Sequence, residues 1–278
     1  MKRKFLKTHL SLLLLFVFTN ISNVSAYEQK NIPEIMQPNT IIEYTSDSNF
    51  EIKKGGFLNN EDLSVKENQM KENQLIADKV LQKHFSNESI NKDYNLTEKI
   101  TPIKGMIVTY ADDGLILNIE YPKNVDNPLL KQNNQQTRGA ILPSGVTLVR
   151  TWGSTPNKLY VDKNDNTIFG TGRATTFNDK VGQGNHTLKK GDVATKLSYD
   201  NCKLGISVKV TSNKNKGSGS SLTKTMTKWD AGGMPNAIVD IWKTGVEYWG
   251  YTYNSSLSLK GITSIEHQNI DINGKKLY

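Results

Sequence analysis

Cysteine is almost absent: Cys202 is the single one in 278 residues, so no internal disulfide ties the chain and its stability has to come from a packed core. Histidine is scarce too. The four are His9, His84, His186 and His267, widely scattered, and no HExxH or paired-ligand spacing occurs, so the sequence gives no support for a metal site. There is no G-x-S-x-G elbow and no phosphate loop, which removes two common routes to nucleophilic and phosphoryl chemistry. Cys202 has only His186 at all near it in sequence. It reads either as a reactive thiol or, as most free cysteines are, as a small buried apolar group. Beyond the N-terminus no apolar run is long enough to cross a bilayer.

What is present at the N-terminus is an export signal. Lys2, Arg3, Lys4 and Lys7 precede the apolar run Leu12–Phe18, and Val24-Ser25-Ala26 offers small residues for cleavage. That order predicts a secretory signal peptide over 1–26 and a secreted, extracellular, cell-wall-associated protein without stable membrane insertion. The charge is uneven. Residues 27–166 hold 16 basic and 19 acidic side chains, whereas 167–278 hold 15 basic and 8 acidic. A basic secreted region is drawn to anionic wall polymers. Nucleic acid is not expected as a partner of an exported chain without a basic-aromatic binding motif.

Residues 27–60 are polar without a sustained period and read as a linker or arm. Leu63, Met70, Leu75, Ile76, Val80, Leu81 and Phe85 recur at roughly helical spacing, which predicts a helix over about 62–85. Two apolar runs flank Ala111-Asp112-Asp113-Gly114 and predict a hairpin over about 103–121. Residues 122–140, rich in Asn, Gln and Lys, read as a second linker. The division is then 27–140 as a polar N-terminal region, 141–166 as connecting strands, and 167–278 as the main domain. From 146 onward the pattern is mainly β, with short strands at 146–149, 159–161, 173–177, 193–197 and 206–210, and a Gly/Ser/Lys-rich loop over 212–221. Many short strands with such turns suggest a sandwich or barrel.

Three aspartates stand out. Asp200 lies in Tyr199-Asp200-Asn201-Cys202-Lys203-Leu204-Gly205, Asp230 in Trp229-Asp230-Ala231-Gly232-Gly233, and Asp240 in Val239-Asp240-Ile241-Trp242. Asp and Gly are ordinary turn residues. Asp240, however, interrupts an apolar run, where an ionised carboxylate is costly unless it is hydrogen-bonded, paired or functional. The ordered set of three aspartates, with Leu204-Gly205 and Gly232-Gly233 between them, resembles the three-aspartate domain. That domain belongs to the double-psi β-barrels, with relatives among stationary-phase lytic transglycosylases, rare lipoprotein A and expansins. The resemblance covers about 167–255, leaving 255–278 beyond the usual end of the barrel. The chain departs from the pattern in the short stretch between Asp200 and Gly205.

The resemblance implies a C-terminal six-stranded double-psi β-barrel and a peptidoglycan lytic transglycosylase. Such an enzyme cleaves the bond between N-acetylmuramic acid and N-acetylglucosamine, leaves a 1,6-anhydro product and needs no cofactor. One carboxyl can serve as acid and then as base, since the sugar's own hydroxyl is the nucleophile. It must hold a proton near neutral pH, which burial and neighbouring carboxylates both favour. On this reading Asp230 is the general acid/base, with Asp240 and Asp200 nearby. Thr175 (or Thr176), Tyr199, Trp229, Gly232 and Gly233 contact the glycan. The alternatives are a non-catalytic, expansin-like glycan-binding protein and an interaction protein in which the barrel is scaffold only.

Overall fold

The structure is a computed structural model that describes residues 27–28, 31–84, 101–122, 144–153, 157–254 and 258–278. The signal peptide expected over 1–26 and most of the linker expected over 122–140 lie outside the described residues. No described helix is long and apolar enough to cross a membrane.

The chain begins with a five-stranded sheet. Its strands are β1 (Tyr27–Glu28), β2 (Ile41–Tyr44), β3 (Asn49–Lys54), β4 (Ile107–Tyr110) and β5 (Ile116–Glu120), in the order β1-β3-β2-β4-β5. Ile42, Tyr44, Phe50, Val108, Tyr110, Ile116 and Ile119 alternate inward and pack with Met36 and Met106. The segment read from sequence as a linker, 27–60, therefore holds strands. Its polar residues sit on the solvent face, and its few apolar ones are spent on a core completed by β4 and β5, more than fifty residues later in the chain.

Between β3 and β4 runs α1 (Asn60–His84). Asn59 Oδ1 accepts from the Asp62 amide at 2.8 Å, and acidic residues open the helix while Lys83 and His84 close it, as the helix dipole favours. Most of its surface is exposed. A narrow stripe at Ala77 and Leu81 is buried, and Leu81 packs with Val146, Tyr160 and Phe169 of the second sheet. His84 stacks on Phe169 at 3.8 Å, and Asp78 faces Lys158 at 3.6 Å. The N-terminal elements thus lie directly against the rest of the chain.

The second sheet contains β6 (Val146–Trp152), β7 (Asn157–Asp162), β8 (Thr167–Phe177), β9 (Asp192–Lys196), β10 (Ser207–Ser212), β11 (Leu222–Gly232), β12 (Val239–Trp242) and β13 (Ser258–Gln268). Six of these close on themselves in the order β12-β9-β11-β10-β13-β8, with β8 pairing back to β12. The molecule is mainly β and this part is a closed six-stranded barrel. Two of the pairings, β11 with β9 and β12 with β8, are parallel, and the other four are antiparallel. β6 and β7 extend the sheet from the first half of β8, on the edge that β12 uses further along. Closure depends on β13, which pairs with both β10 and β8. The tail read as lying past the barrel, 255–278, therefore supplies the strand that closes it.

Val193, Val208, Val210, Met226, Val239, Ile241, Leu259 and Ile265 fill the barrel, with Trp152 and Trp249 among the largest buried side chains. β8 is buried along nearly its whole length because one face lines the barrel and the other is covered. A Cβ on Gly170 would approach Ile238 Cδ1 to 2.8 Å, so this strand needs its glycine for neighbours to pack closely.

Candidate carboxylate site

Register alone brings two of the three aspartates together. Asp230 of β11 and Asp240 of β12 are both the Cα partners of Ala194 on β9, the strand between them. Asp240 is in turn the partner of Thr175 on β8. Four adjacent strands thus carry one transverse row, Asp230–Ala194–Asp240–Thr175. Their neighbours Val193, Val239, Ile241 and Ala174 belong to the barrel interior, so the row lies on the opposite, outer face. A bulge between Lys228 and Asp230 sets Asp230 into register with Ala194 and leaves Trp229 as the extra residue. The methyl group of Ala194 between the two carboxyls keeps the floor of the row shallow.

Both carboxyls hold protons more tightly than an ordinary aspartate. Burial pushes Asp240 up to about 7; nearby Asp179 and Asp230 push the same way, while the Thr175 hydroxyl and the Ile241 amide oppose them. Asp240 Oδ1 is buried without a hydrogen-bond partner. Burial also raises Asp230, with Asp179 adding to the rise and the backbone amides of Ala231 and Gln183 and the Lys228 ammonium working against it. Asp179 is exposed, and its carbonyl accepts the Trp242 indole N–H at 2.8 Å. Burial raises the Tyr253 phenol, and the charges of Asp240 and Asp179 add to the rise.

The next outward residue along β8, Arg173, is buried, and its Nη2 meets Asp113 at 2.7 Å while its Nη1 donates to the Ile116 carbonyl at 3.0 Å. Asp240 also contributes to its electrostatic surroundings. The β4–β5 turn of the N-terminal sheet therefore bounds one end of the row.

Asp200 stands apart. It is 2 % exposed on the β9–β10 connection, and its Oδ2 lies 2.9 Å from Nε2 of the equally buried His267 on β13. Asp200 and other neighbours raise the His267 pKa against the opposing effect of burial. Cys202 is fully buried beside this pair, and burial pushes its thiol well up. Among the expected glycan contacts, Thr175 is 4 % exposed and bonded to Asp240. Tyr199 is in the core: its ring packs at 5.6 Å from Trp152 with the cations of Arg150 and Lys196 over it, which leaves no face for a sugar. Trp229 is half-buried and stacks on His186 at 4.1 Å. Gly232 and Gly233 border open space at Gly233, where nothing lies within 4 Å of an added Cβ, and the Gly233 carbonyl accepts from Lys196 Nζ at 2.6 Å.

Sequence reasoning does not single out Ala194, Asp179, Arg173 or Tyr253 as site residues. Only Arg173 carries a signal, as a cation inside a strand sequence. Comparison with protein-family models, with curated proteins and with solved structures returns no match.

Proposed function

We propose that the chain is a secreted peptidoglycan lytic transglycosylase whose acid/base unit is the Asp230–Asp240 couple on a double-psi β-barrel. The observation that carries this reading is the row Asp230–Ala194–Asp240–Thr175, with both carboxyls raised and Asp240 near 7. Burial raises both carboxyls, and the charge of Asp230 adds to the rise at Asp240, so the row retains protons at a pH where an exposed aspartate has lost its own. Asp230, at the bulged end of the row and beside the open space over Gly233, delivers the proton to the leaving glycosidic oxygen. As carboxylate it then takes one from the muramic acid's own hydroxyl, which closes the anhydro ring. Asp240 tunes the row electrostatically, and its bond to Thr175 fixes its orientation. The two parallel pairings within the closed barrel, and the order of the aspartates along it, support the double-psi assignment. Asp200, placed away from the row, has no part in the proton transfer.

A basic-aromatic rim favours glycan association as such. Lys243 lies over the Trp242 ring at 4.9 Å, and Lys190 and Lys224 lie over Tyr248 at 4.9 and 5.3 Å. This rim suits anionic wall polymers and would serve an expansin-like protein equally well. Digestion of purified peptidoglycan separates the two readings. Anhydro-muropeptides detected by mass spectrometry establish the transglycosylase; wall binding without any cleaved product establishes the expansin-like protein; neither binding nor cleavage removes both.

A further inference from the structure

The fold collects, outside the carboxylate row, three side chains of metal-ligand type, two of them neighbours on one loop and the third far away in sequence. Asp200 and His267 are 67 positions apart, yet Oδ2 and Nε2 are 2.9 Å from each other. Cys202 Sγ joins them, and the three ligand atoms all lie within 4.8 Å of one another. All three residues are buried, at 2 %, 0 % and 4 % exposure for Asp200, Cys202 and His267.

From these groups we infer a structural zinc-type site formed by Asp200, Cys202 and His267, which binds one divalent transition ion and staples the β9–β10 connection to the end of β13.

Four observations carry the inference. First, the donors are nitrogen, sulfur and oxygen, a mixed set that suits zinc and related ions rather than magnesium or calcium. Second, Asp200 Oδ1 is buried and has no hydrogen-bond partner, so the contact with His267 leaves half of the carboxylate unmatched. A carboxylate that grips an ion through both oxygens satisfies that atom and, with Sγ and Nε2, completes four donor atoms. Third, His267 Nδ1 lies 2.8 Å from the Gln268 carbonyl. Donation from Nδ1 to this oxygen orients the ring so that Nε2, on giving up the proton it holds toward Asp200, presents its lone pair to the cluster, the arrangement by which metal-bound histidines are oriented. Fourth, the buried ammonium beside the cluster is engaged elsewhere: Lys228 Nζ donates to the Cys202 carbonyl at 2.7 Å and to Gln183 Oε1 at 3.0 Å.

The spacing fits after small adjustments. Metal–ligand bonds of about 2.0–2.3 Å at near-tetrahedral angles put donor atoms of different residues about 3.3–3.8 Å apart. Nε2 and Oδ2 would separate by about half an ångström, and Sγ would draw in. When the ion binds, the Cys202 thiol and the His267 Nε2 that bonds Asp200 each release a proton to solvent. In a chain with one cysteine, an ion here would do what a disulfide does elsewhere.

The test uses the mature chain, purified without a metal-affinity tag, stripped with chelator and offered zinc chloride or cobalt chloride alone. The expected result is about one ion per chain retained after dialysis, and for cobalt a thiolate-to-metal charge-transfer band in the near ultraviolet. Zinc at a hundredfold excess over Kd should raise the melting midpoint by about 5–10 °C. Cys202→Ser should abolish the band and weaken binding by about 10–100-fold or more. Retention of less than about a tenth of an ion per chain, with no change in melting, overturns the inference on the unaltered protein, whatever the variant does. Binding of undiminished affinity in Cys202→Ser, without a thiolate band in the parent, also overturns it, because the ion then sits elsewhere.

Discussion

Asp240 and Asp200 are the same residue on neighbouring parts of one barrel, and each has a buried Oδ1 without a hydrogen-bond partner. Their remaining surroundings are opposite. Asp240 has a neutral hydroxyl at Thr175 and the charges of Asp179 and Asp230 nearby, so burial and like charge together drive it to about 7. Asp200 has an imidazole at 2.9 Å, and the pair raises the histidine's proton affinity instead. Burial by itself therefore does not assign a role. A carboxyl buried among other carboxyls keeps a proton it can transfer, while one buried against a cation or an ion holds two chain segments together.

The sharpest way to break this contrast is to neutralise each side in turn. Asp230→Asn keeps the shape but removes a transferable proton. Anhydro-muropeptide release should fall by about 10²–10⁴-fold, with melting and wall binding nearly unchanged. A folded variant that cleaves as fast as the parent removes Asp230 from the chemistry.

Asp200→Asn should do the reverse. It leaves His267 buried without its carboxylate, and breaking such a pair typically costs about 3–5 kcal/mol of stability. Cleavage per folded molecule should stay within a few-fold of the parent. Chemical denaturation and activity normalised to folded protein read both effects, and a large loss of specific activity in well-folded protein would return Asp200 to the catalytic set.

Asp240→Asn tests the raised proton affinity through stability. Because the folded-state pKa lies above the unfolded value of about 3.9, the wild-type contribution is fully present below about pH 4 and is lost as pH rises through about 7. The variant has no such loss. Its stability relative to the parent should therefore improve from pH 4 to pH 7 by at most about 4 kcal/mol and level off above that. Parallel stability–pH curves for the two proteins would show that Asp240 titrates as an ordinary carboxyl.

The smallest effect is expected from Thr175→Val. Loss of one hydrogen bond should cost about 1 kcal/mol. Because that hydroxyl favours the Asp240 anion, the Asp240 pKa should rise further. Carboxyl-carbon NMR titration measures this directly, and a fall would place the hydroxyl's influence elsewhere.

Parts of this arrangement are legible in the amino-acid pattern. The helical spacing of Leu63, Met70, Val80 and Leu81 and the apolar runs around Ala111–Gly114 lie on α1 and on β4–β5. The alternation at Val146, Leu159 and Val208 lies on β6, β7 and β10. The strands of 41–54 are hidden by polar residues on their open face, and β13 by a tail whose apolar positions are sparse. Tyr199 cannot be told from a sugar-stacking ring, since an aromatic beside an aspartate reads the same whether its face meets solvent or Trp152.

Local pattern by itself determined the strand-rich class of the C-terminal part, the position of Asp240 within an apolar run, and the lack of disulfides. These depend on side-chain periodicity and residue chemistry within a few positions. Tertiary structure alone decided that Asp230 and Asp240 flank one alanine, that Asp200 turns to His267 and Cys202 instead of joining them, and that Asp113 reaches Arg173 from another sheet. Those outcomes depend on strand register and barrel closure. A one-residue slip in register would move every side chain of a strand to the opposite face, and no local stretch of sequence records which partner a strand will meet.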